Sequence, residues 1–284
     1  MKLQLFKTLW GAVGAGSPHP TLKEAIPAVA ADGFDGVAFA LIAHQLEPRI
    51  GSLQQLRELS NEHGLGIATL VQTSGDTVED HLKRLRSEFQ EAAPLESRHL
   101  ICHGGRDAFD DGQAVQFYSE ALKMEDDLGL TVAHETHRSR ILYNPWTTAR
   151  MLERFENLKL ALDLSHWVVV AERLIDDQLD IIRAAAARTI HIDARVGYPQ
   201  GPQVPDPRAP EWAETLESHL RWWNMAWDEQ EVAGLPTSTV VPEFGPPPYQ
   251  QTLPHTGEPT ADLWEVVDWM AQLLRVRFDA RPDR

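Results

Sequence analysis

The chain has 284 residues, of which 43% are hydrophobic and 24% are charged. This composition supplies a large core and excludes an intrinsically disordered protein. The 42 acidic and 26 basic residues give a net charge of −16, which disfavours binding to nucleic acid or to anionic membranes. No apolar run reaches the roughly 18–20 residues of a membrane span, and no signal-peptide cleavage site follows the first ten residues. With a single cysteine, which cannot form an internal disulfide, we expect a cytoplasmic protein.

Short apolar runs bounded by Gly, Pro, Asp or Ser alternate with amphipathic segments along the whole chain. Runs of this kind are typical of buried parallel strands. Eight strands are predicted: Leu3–Trp10, Gly36–Leu41, Ile67–Gln72, His99–His103, Thr131–Glu135, Lys159–Asp163, Thr189–His191 and Thr237–Glu243. Six helices are predicted between them: Leu22–Ala31, Leu53–His63, Thr77–Ala92, Gly112–Leu128, Pro145–Arg154 and Asp176–Ala187.

The spacing of the strand ends indicates the architecture. From the first strand to the seventh, consecutive ends lie 28 to 32 residues apart, the length of one βα unit, and eight such units close a (β/α)8 TIM barrel. The segment after the first strand does not match the glycine-rich turn of a doubly wound sheet. We therefore predict one α/β domain over residues 1–284.

The last two units are irregular. Proline- and glycine-rich segments follow strands seven and eight, and the segment 211–233 contains four tryptophans. Loops of this length in a compact domain are often functional covers. Surface decoration or an oligomer contact explains them equally well, and a tryptophan-rich helix suits a lid, an interface or the core.

Four consecutive predicted strands end in a side chain that can bind a metal. These are Glu135, Asp163, His191 and Glu243. Strand alternation predicts that the residue two positions before each of them fills the barrel interior, while their immediate neighbours face the helices. The predicted interior residues are Ala133, Ala161, Thr189 and Val241, and the predicted outward residues are Leu162, Ile190 and Cys102.

Three carboxylates at one barrel mouth would repel one another unless a cation neutralised them. A divalent ion with His191 as a neutral fourth ligand meets this need, and a carboxylate-rich set favours Mn²⁺, with Mg²⁺, Co²⁺ or Zn²⁺ as alternatives. Each acid taken alone is equally consistent with a helix cap. Their order and common direction on adjacent strands favour a site.

In these motifs the sequence resembles the xylose isomerase-like TIM-barrel superfamily, in its sugar isomerase and epimerase branch. The resemblance covers nearly the whole chain as βα units, but specific matches are confined to strands five to eight. It implies that Glu135, Asp163, His191 and Glu243 hold one divalent metal. It also implies that Glu135 and Glu243 exchange a proton with the substrate, that His166 contacts a substrate oxygen, and that the protein is a homodimer or homotetramer.

The chain departs from ketose 3-epimerases in one respect, because Gly197 stands where they place a substrate-binding arginine. Arg195 is the nearest replacement. Each further candidate for substrate binding has a simpler structural explanation, such as packing, an exposed loop or, for Asp193 and Arg195, a mutual salt bridge. These candidates are Trp10, His103, His137, Asp193 and Arg195.

The expected reaction is proton transfer at a carbon beside a carbonyl group, through an enediolate, in a carbohydrate or small hydroxy-carbonyl compound. Prolines replace a glycine-rich nest after strand eight, which favours an unphosphorylated substrate. A lyase or dehydratase with the same base and metal remains open. So does an endonuclease IV-like metallohydrolase, although the chain has no Asp-x-His motif after His191, and a non-catalytic sugar-binding barrel is the last alternative.

Overall fold

The computed structural model describes residues 1–14, 17–41 and 50–282. Its eight parallel strands follow one another in chain order around a closed barrel, and each pairs with the next. This confirms the predicted (β/α)8 barrel. The strands are β1 Lys2–Thr8, β2 Gly36–Ala40, β3 Gly66–Gln72, β4 His99–His103, β5 Val132–Glu135, β6 Leu160–Leu162, β7 Thr189–Asp193 and β8 Thr237–Val241.

The strands are surrounded by helices. In the described ranges these are α1 Leu22–Ala31, α2 Leu53–Glu62, α3 Val78–Ala92, α4 Asp111–Leu128, α5 Pro145–Arg154, α6 Leu164–Ala171, α7 Leu179–Ala186, α8 Ala213–Val232 and α9 Leu263–Asp279. Within those ranges no helix is both long enough and apolar enough to span a membrane. Six of these helices match the predicted helices, α8 is the tryptophan-rich helix, and α6 and α9 were not predicted.

Side-chain caps fix several helix starts. The Asn144 side chain accepts a hydrogen bond from Thr147 N, and Pro145 occupies the first helical position of α5, where a missing N–H has no cost. Asp163 caps α6 in the same way, accepting from Ser165 N. Since Asp163 is also a predicted metal ligand, the cap at the end of β6 fixes one of its oxygens in place.

The barrel interior contains small and branched residues, as predicted for three of four positions. Ala133, Ala161 and Val241 pack there with Phe6, Ala68 and Ile101. Leu162 and Cys102 pack in the outer core between strands and helices, which confirms their outward direction.

The prediction for the start of β7 was wrong. The register places Leu160 beside Thr189 and Ala161 beside His191, so β7 has one extra residue, Ile190, in a β-bulge. The bulge turns Ile190 toward the interior cluster. Thr189 faces outward, where its hydroxyl donates to Ala185 O of α7.

The tryptophan-rich segment belongs to the core. Trp222, Trp223 and Trp227 of α8 are fully buried, and α8 packs on α7 and β7. The loops after β7 and β8 are tied together, because Gln203 Nε2 donates to Gly245 O at 3.1 Å and Gly245 N donates to Gln203 Oε1 at 2.8 Å. Both loops therefore form one wall at the barrel mouth.

Candidate active site

A cavity of about 310 Å³ opens at the carboxyl ends of the strands, where the loops of a TIM barrel place reactive groups. Its polar lining comes from strands and loops on opposite sides of the barrel. The polar and titratable lining residues are Thr8, Trp10, Gln72, His103, His137, Ser139, Arg140, Asp193, Arg195, Glu243 and Tyr249.

Glu135, at the end of β5, is paired with His103, at the end of β4. His103 Nε2 lies 2.6 Å from Glu135 Oε2, and the Glu135 side chain is almost entirely buried. Burial raises the pKa of Glu135 to about 8, repulsion from Glu243 adds to the rise, and the Arg195 and Arg140 guanidinium groups oppose it. Burial lowers the pKa of His103 to about 3. The pair therefore holds Glu135 in its protonated form near neutral pH.

Arg195, in the loop after β7, joins two of the predicted metal ligands. Its Nε donates to Asp163 Oδ2 at 3.1 Å, and its Nη2 donates to Glu243 Oε2. Burial alone would lower the pKa of Arg195, but the Glu243 and Asp163 carboxylates more than offset this and raise it. Burial raises the pKa of both acids, and the guanidinium opposes that rise. Since it contacts a fixed cation, Glu243 is the carboxylate of the Glu135–Glu243 pair that ionises first.

His166, on the first turn of α6, is fully buried beside Asp163. Its Nε2 lies 3.4 Å from Asp163 Oδ2. Neither ring nitrogen forms a hydrogen bond with any residue that the structure describes. A buried imidazole with two unsatisfied nitrogens indicates that a ligand or ion completes the site.

Two groups of side chains are close enough to hold a metal ion. One consists of Glu135, Asp163 and His166, and the other of His103, Glu135 and His137. Within each group the ligand atoms lie within 4.8 Å of one another. The first group fits a divalent cation better, because it supplies two carboxylates and the unsatisfied His166 ring.

His191 is in neither group. The bulge in β7 leaves its ring inside the barrel, where Nδ1 lies 2.9 Å from His99 Nε2 and Nε2 lies 3.0 Å from Asp193 Oδ1. Burial lowers the pKa of His191 to about 3. Both nitrogens of a neutral ring are therefore already engaged. The structure thus brings Glu135 and Asp163 together and connects Glu243 to Asp163 through Arg195. It pairs His191 with His99 and Asp193 instead.

The other sequence candidates lie around the same cavity. Asp193 binds His191, leaving its Oδ2 buried without a hydrogen-bond partner among the described residues, so the alternative of a salt bridge to Arg195 was wrong. The Trp10 ring packs against Tyr249 with centroids 5.0 Å apart. His137 packs between the rings of His103 and His166, at centroid distances of 4.2 and 3.9 Å.

Three residues of this site were not predicted. Tyr249, from the loop after β8, covers Arg195 at 4.7 Å from its ring centroid and lies 3.4 Å from His137 Nε2. Arg140 lines the cavity from the loop after β5. Neither has a periodic signal in the sequence. His99 could have been found, because it shares its strand face with His103 four residues later.

Comparisons with known proteins agree with this architecture. A family model described as xylose isomerase-like TIM barrel matches residues 26–209. No curated protein matches the chain. Similar solved structures include a "D-tagatose 3-epimerase-like protein", with 13% identity and a TM-score of 0.63 over 98% of this chain and 97% of that one.

Two further solved structures are similar to this chain over most of their length. An L-ribulose 3-epimerase is 15% identical, with a TM-score of 0.63 over 98% of this chain and 95% of its own. A family 2 AP endonuclease from Brucella melitensis is 16% identical, with a TM-score of 0.61 over 95% of this chain and 98% of its own. At these identities the likeness concerns the fold.

Proposed function

Because the chain belongs to the xylose isomerase-like TIM-barrel family, we propose that it is an isomerase or epimerase of a sugar or small hydroxy-carbonyl compound. The observation that carries the proposal is a pair of buried glutamates: Glu243, beside Arg195, lines the cavity, and Glu135 is paired with His103, which lines it too. Their surroundings favour different protonation states, which is the arrangement needed for one acid and one base. The epimerases among the similar structures support the same class.

In the proposed reaction Glu243 is the base. Its carboxylate removes the proton from the carbon beside the substrate carbonyl, and the electron pair of that C–H bond forms the enediolate. Glu135 supplies a proton to the substrate, after which Glu243 is protonated and Glu135 is ionised. Arg195 keeps Glu243 ionised before the reaction, and its buried Nη1, which has no partner among the described residues, is free to donate to a substrate oxygen.

We propose that Asp163 and His166 would hold a divalent metal, with the unprotonated oxygen of the neutral Glu135 carboxyl group as the third ligand. The set is rich in oxygen, which favours Mn²⁺ or Mg²⁺ over Zn²⁺. His166 thus replaces the predicted His191. Such an ion, when bound, would polarise the substrate carbonyl group and lower the pKa of the C–H group beside it.

Solvent exchange at carbon tests the proposed reaction. The protein, with Mn²⁺ and separately with Mg²⁺, is incubated in D₂O with ketoses, aldoses, hydroxy-keto acids and their phosphate esters. We expect deuterium to enter beside the carbonyl group of at least one compound, as measured by NMR. A heat-inactivated sample with the same metal corrects for spontaneous exchange. Absence of exchange across the whole set contradicts the proposal.

Metal binding is tested separately from turnover. We expect Mn²⁺ to raise the melting temperature of the wild-type protein, because an ion that binds only the native state stabilises it. His166→Ala should remove most of that rise, while His63→Ala, at an exposed position after α2, should leave it unchanged. If the rise in melting temperature persists in His166→Ala but disappears in His191→Ala, the metal ligand is His191, as the sequence predicted, and not His166.

A dehydratase or lyase is the second candidate. It is favoured by the proton that Glu135 retains up to a pH of about 8, since elimination needs an acid that protonates the departing hydroxyl group. In the D₂O experiment this reaction would give a dehydrated product in place of an epimer or an aldose–ketose pair.

A further inference from the structure

Arg140 is a cation in the wall of the cavity that has only neutral partners. Its Nη1 donates to Thr73 O at 2.9 Å and Gly105 O at 3.3 Å, and its buried Nε forms no hydrogen bond with a described residue. The two carbonyl groups belong to the segments that follow β3 and β4. The guanidinium is therefore anchored in position by neutral groups, and the Glu135 and Asp107 carboxylates attract it without forming an ion pair with it.

The contrast with Arg195 is informative. Arg195 contacts two carboxylates, whereas among the described residues no carboxylate forms an ion pair with Arg140. A half-buried guanidinium that lines a cavity without a counter-ion is costly in free energy. An anionic group of a bound molecule would remove that cost.

The position of Arg140 matches the proposed chemistry. Arg140 follows β5 and is anchored beside the ends of β3 and β4, while Glu243 follows β8. In an eight-stranded ring β4 and β8 stand opposite each other. A small molecule in the cavity can therefore reach Arg140 with one end and Glu243 with the other, while Glu135 lies on the Arg140 side.

We propose that the substrate carries a carboxylate that pairs with Arg140, which makes it a sugar acid or hydroxy-keto acid. This assignment rests on the proposed isomerase or epimerase function and specifies its substrate class. The carboxylate would accept two hydrogen bonds from the planar guanidinium, a geometry for which arginine is suited.

The described residues around Arg140 do not offer the free backbone N–H groups that are typical of a phosphate site. The neighbouring Gly105 N–H already donates to Thr73 Oγ1 at 2.9 Å, and that hydroxyl donates to His103 O. Phosphate sites generally combine several free backbone N–H groups with a cation. One guanidinium without such a nest fits a singly charged carboxylate better.

Three unreactive six-carbon compounds test the assignment by binding alone. D-Gluconate and D-glucitol differ only in a terminal carboxylate or hydroxymethyl group, and D-glucitol 6-phosphate presents a phosphate. Calorimetry on the wild-type protein should give a dissociation constant about tenfold lower for gluconate than for glucitol, with the phosphate no tighter than gluconate. None has an aldehyde or ketone group, so the result does not depend on turnover.

Arg140→Gln should abolish the preference for gluconate, and Arg140→Lys should retain part of it. Arg106→Gln is the matched control, because Arg106 pairs with Asp76 on the exposed surface, outside the cavity. Melting temperatures of all variants identify any loss of fold, and Arg140→Lys serves as the test if Arg140→Gln does not fold.

Equal binding of gluconate and glucitol, or a preference unchanged in Arg140→Gln, would overturn the assignment and leave Arg140 as a loop anchor. Tighter binding of D-glucitol 6-phosphate than of D-gluconate would overturn the proposal that the anionic group of the substrate is a carboxylate. Either result leaves the exchange experiment untouched, so the substrate class can fail while the proposed reaction stands. If gluconate is preferred but no compound exchanges deuterium, the reaction fails while the anion site stands.

Discussion

Glu243→Gln lowers the rate of deuterium exchange by about 10³-fold, near the middle of the 10²–10⁴ range for a positioned general base. The amide keeps the shape of the side chain but cannot accept a proton from carbon. Since Glu243 contacts Arg195, the variant also leaves the guanidinium with one carboxylate fewer. The measurement is NMR-detected exchange of the best compound in the panel.

Glu135→Gln should behave differently, because Glu135 acts in its protonated form. The amide can still hydrogen-bond to His103, so exchange initiated by Glu243 should persist at a reduced rate while product formation falls by about 10²-fold or more. Glu62→Gln, on the exposed side of α2, is the control for the substitution itself. Equal losses of exchange and product formation in both variants would contradict the separate acid and base roles.

The pH dependence follows from the same assignment. Product formation should decline at a pH no higher than about 8, where Glu135 loses the proton that it donates. Burial raises the pKa of Glu135 to about 8, and a bound divalent ion would lower it. At low pH the rate should fall as Glu243 becomes protonated. The residual activity of Glu135→Gln should lack the alkaline decline, and a decline that persists there must be assigned to another group.

The barrel could be predicted because its signals are local and repeated. Strand ends 28 to 32 residues apart and short apolar runs give the βα order, and alternation correctly placed Ala133, Ala161 and Val241 inside. The same rule failed at β7. A single extra residue in the pairing reverses the directions predicted for Thr189 and Ile190, while the residues that follow keep theirs. Nothing in the sequence TIHID reveals that Ile190 is this residue.

The sequence predicts where the site lies but not which of its side chains contact one another. Strand ends identified Glu135, Asp163 and Glu243, because parallel strands bring their carboxyl ends to one mouth. Which nitrogen reaches which carboxylate depends on loop conformation, and Arg195, Arg140 and Tyr249 all enter from loops. Their roles depend on contacts between segments that lie far apart in the sequence, such as the contact between Arg195 and Glu243. Sequence patterns do not give the distances in such contacts.

Arg195→Met should be the most destabilising change in the site. It removes the cation between Asp163 and Glu243 and leaves two buried carboxylates without their shared partner. Breaking a buried ion pair by removing one member typically costs about 3–5 kcal/mol of unfolding free energy. We therefore expect a loss of that size in urea denaturation without added metal.

The control is the same substitution at Arg208, which pairs with Asp206 at a partly exposed position. There we expect a loss of no more than about 1 kcal/mol. The double variant Arg195→Met/Asp163→Asn should recover part of the lost unfolding free energy, because the amide replaces one of the two buried carboxylates that have lost their cation. If the double variant is no more stable than Arg195→Met, the loss comes from packing and not from charge.

Activity separates the electrostatic role of Arg195 from its structural one. Without the guanidinium, burial and repulsion from Asp193 raise the pKa of Glu243 further, so a larger share of the base is protonated at a given pH. The variant should then lose most of its exchange activity at pH 7 and recover part of it at higher pH, where Glu243 ionises again. An activity that stays equally low at every pH would mean that Arg195 acts by holding the substrate, not by keeping the base ionised.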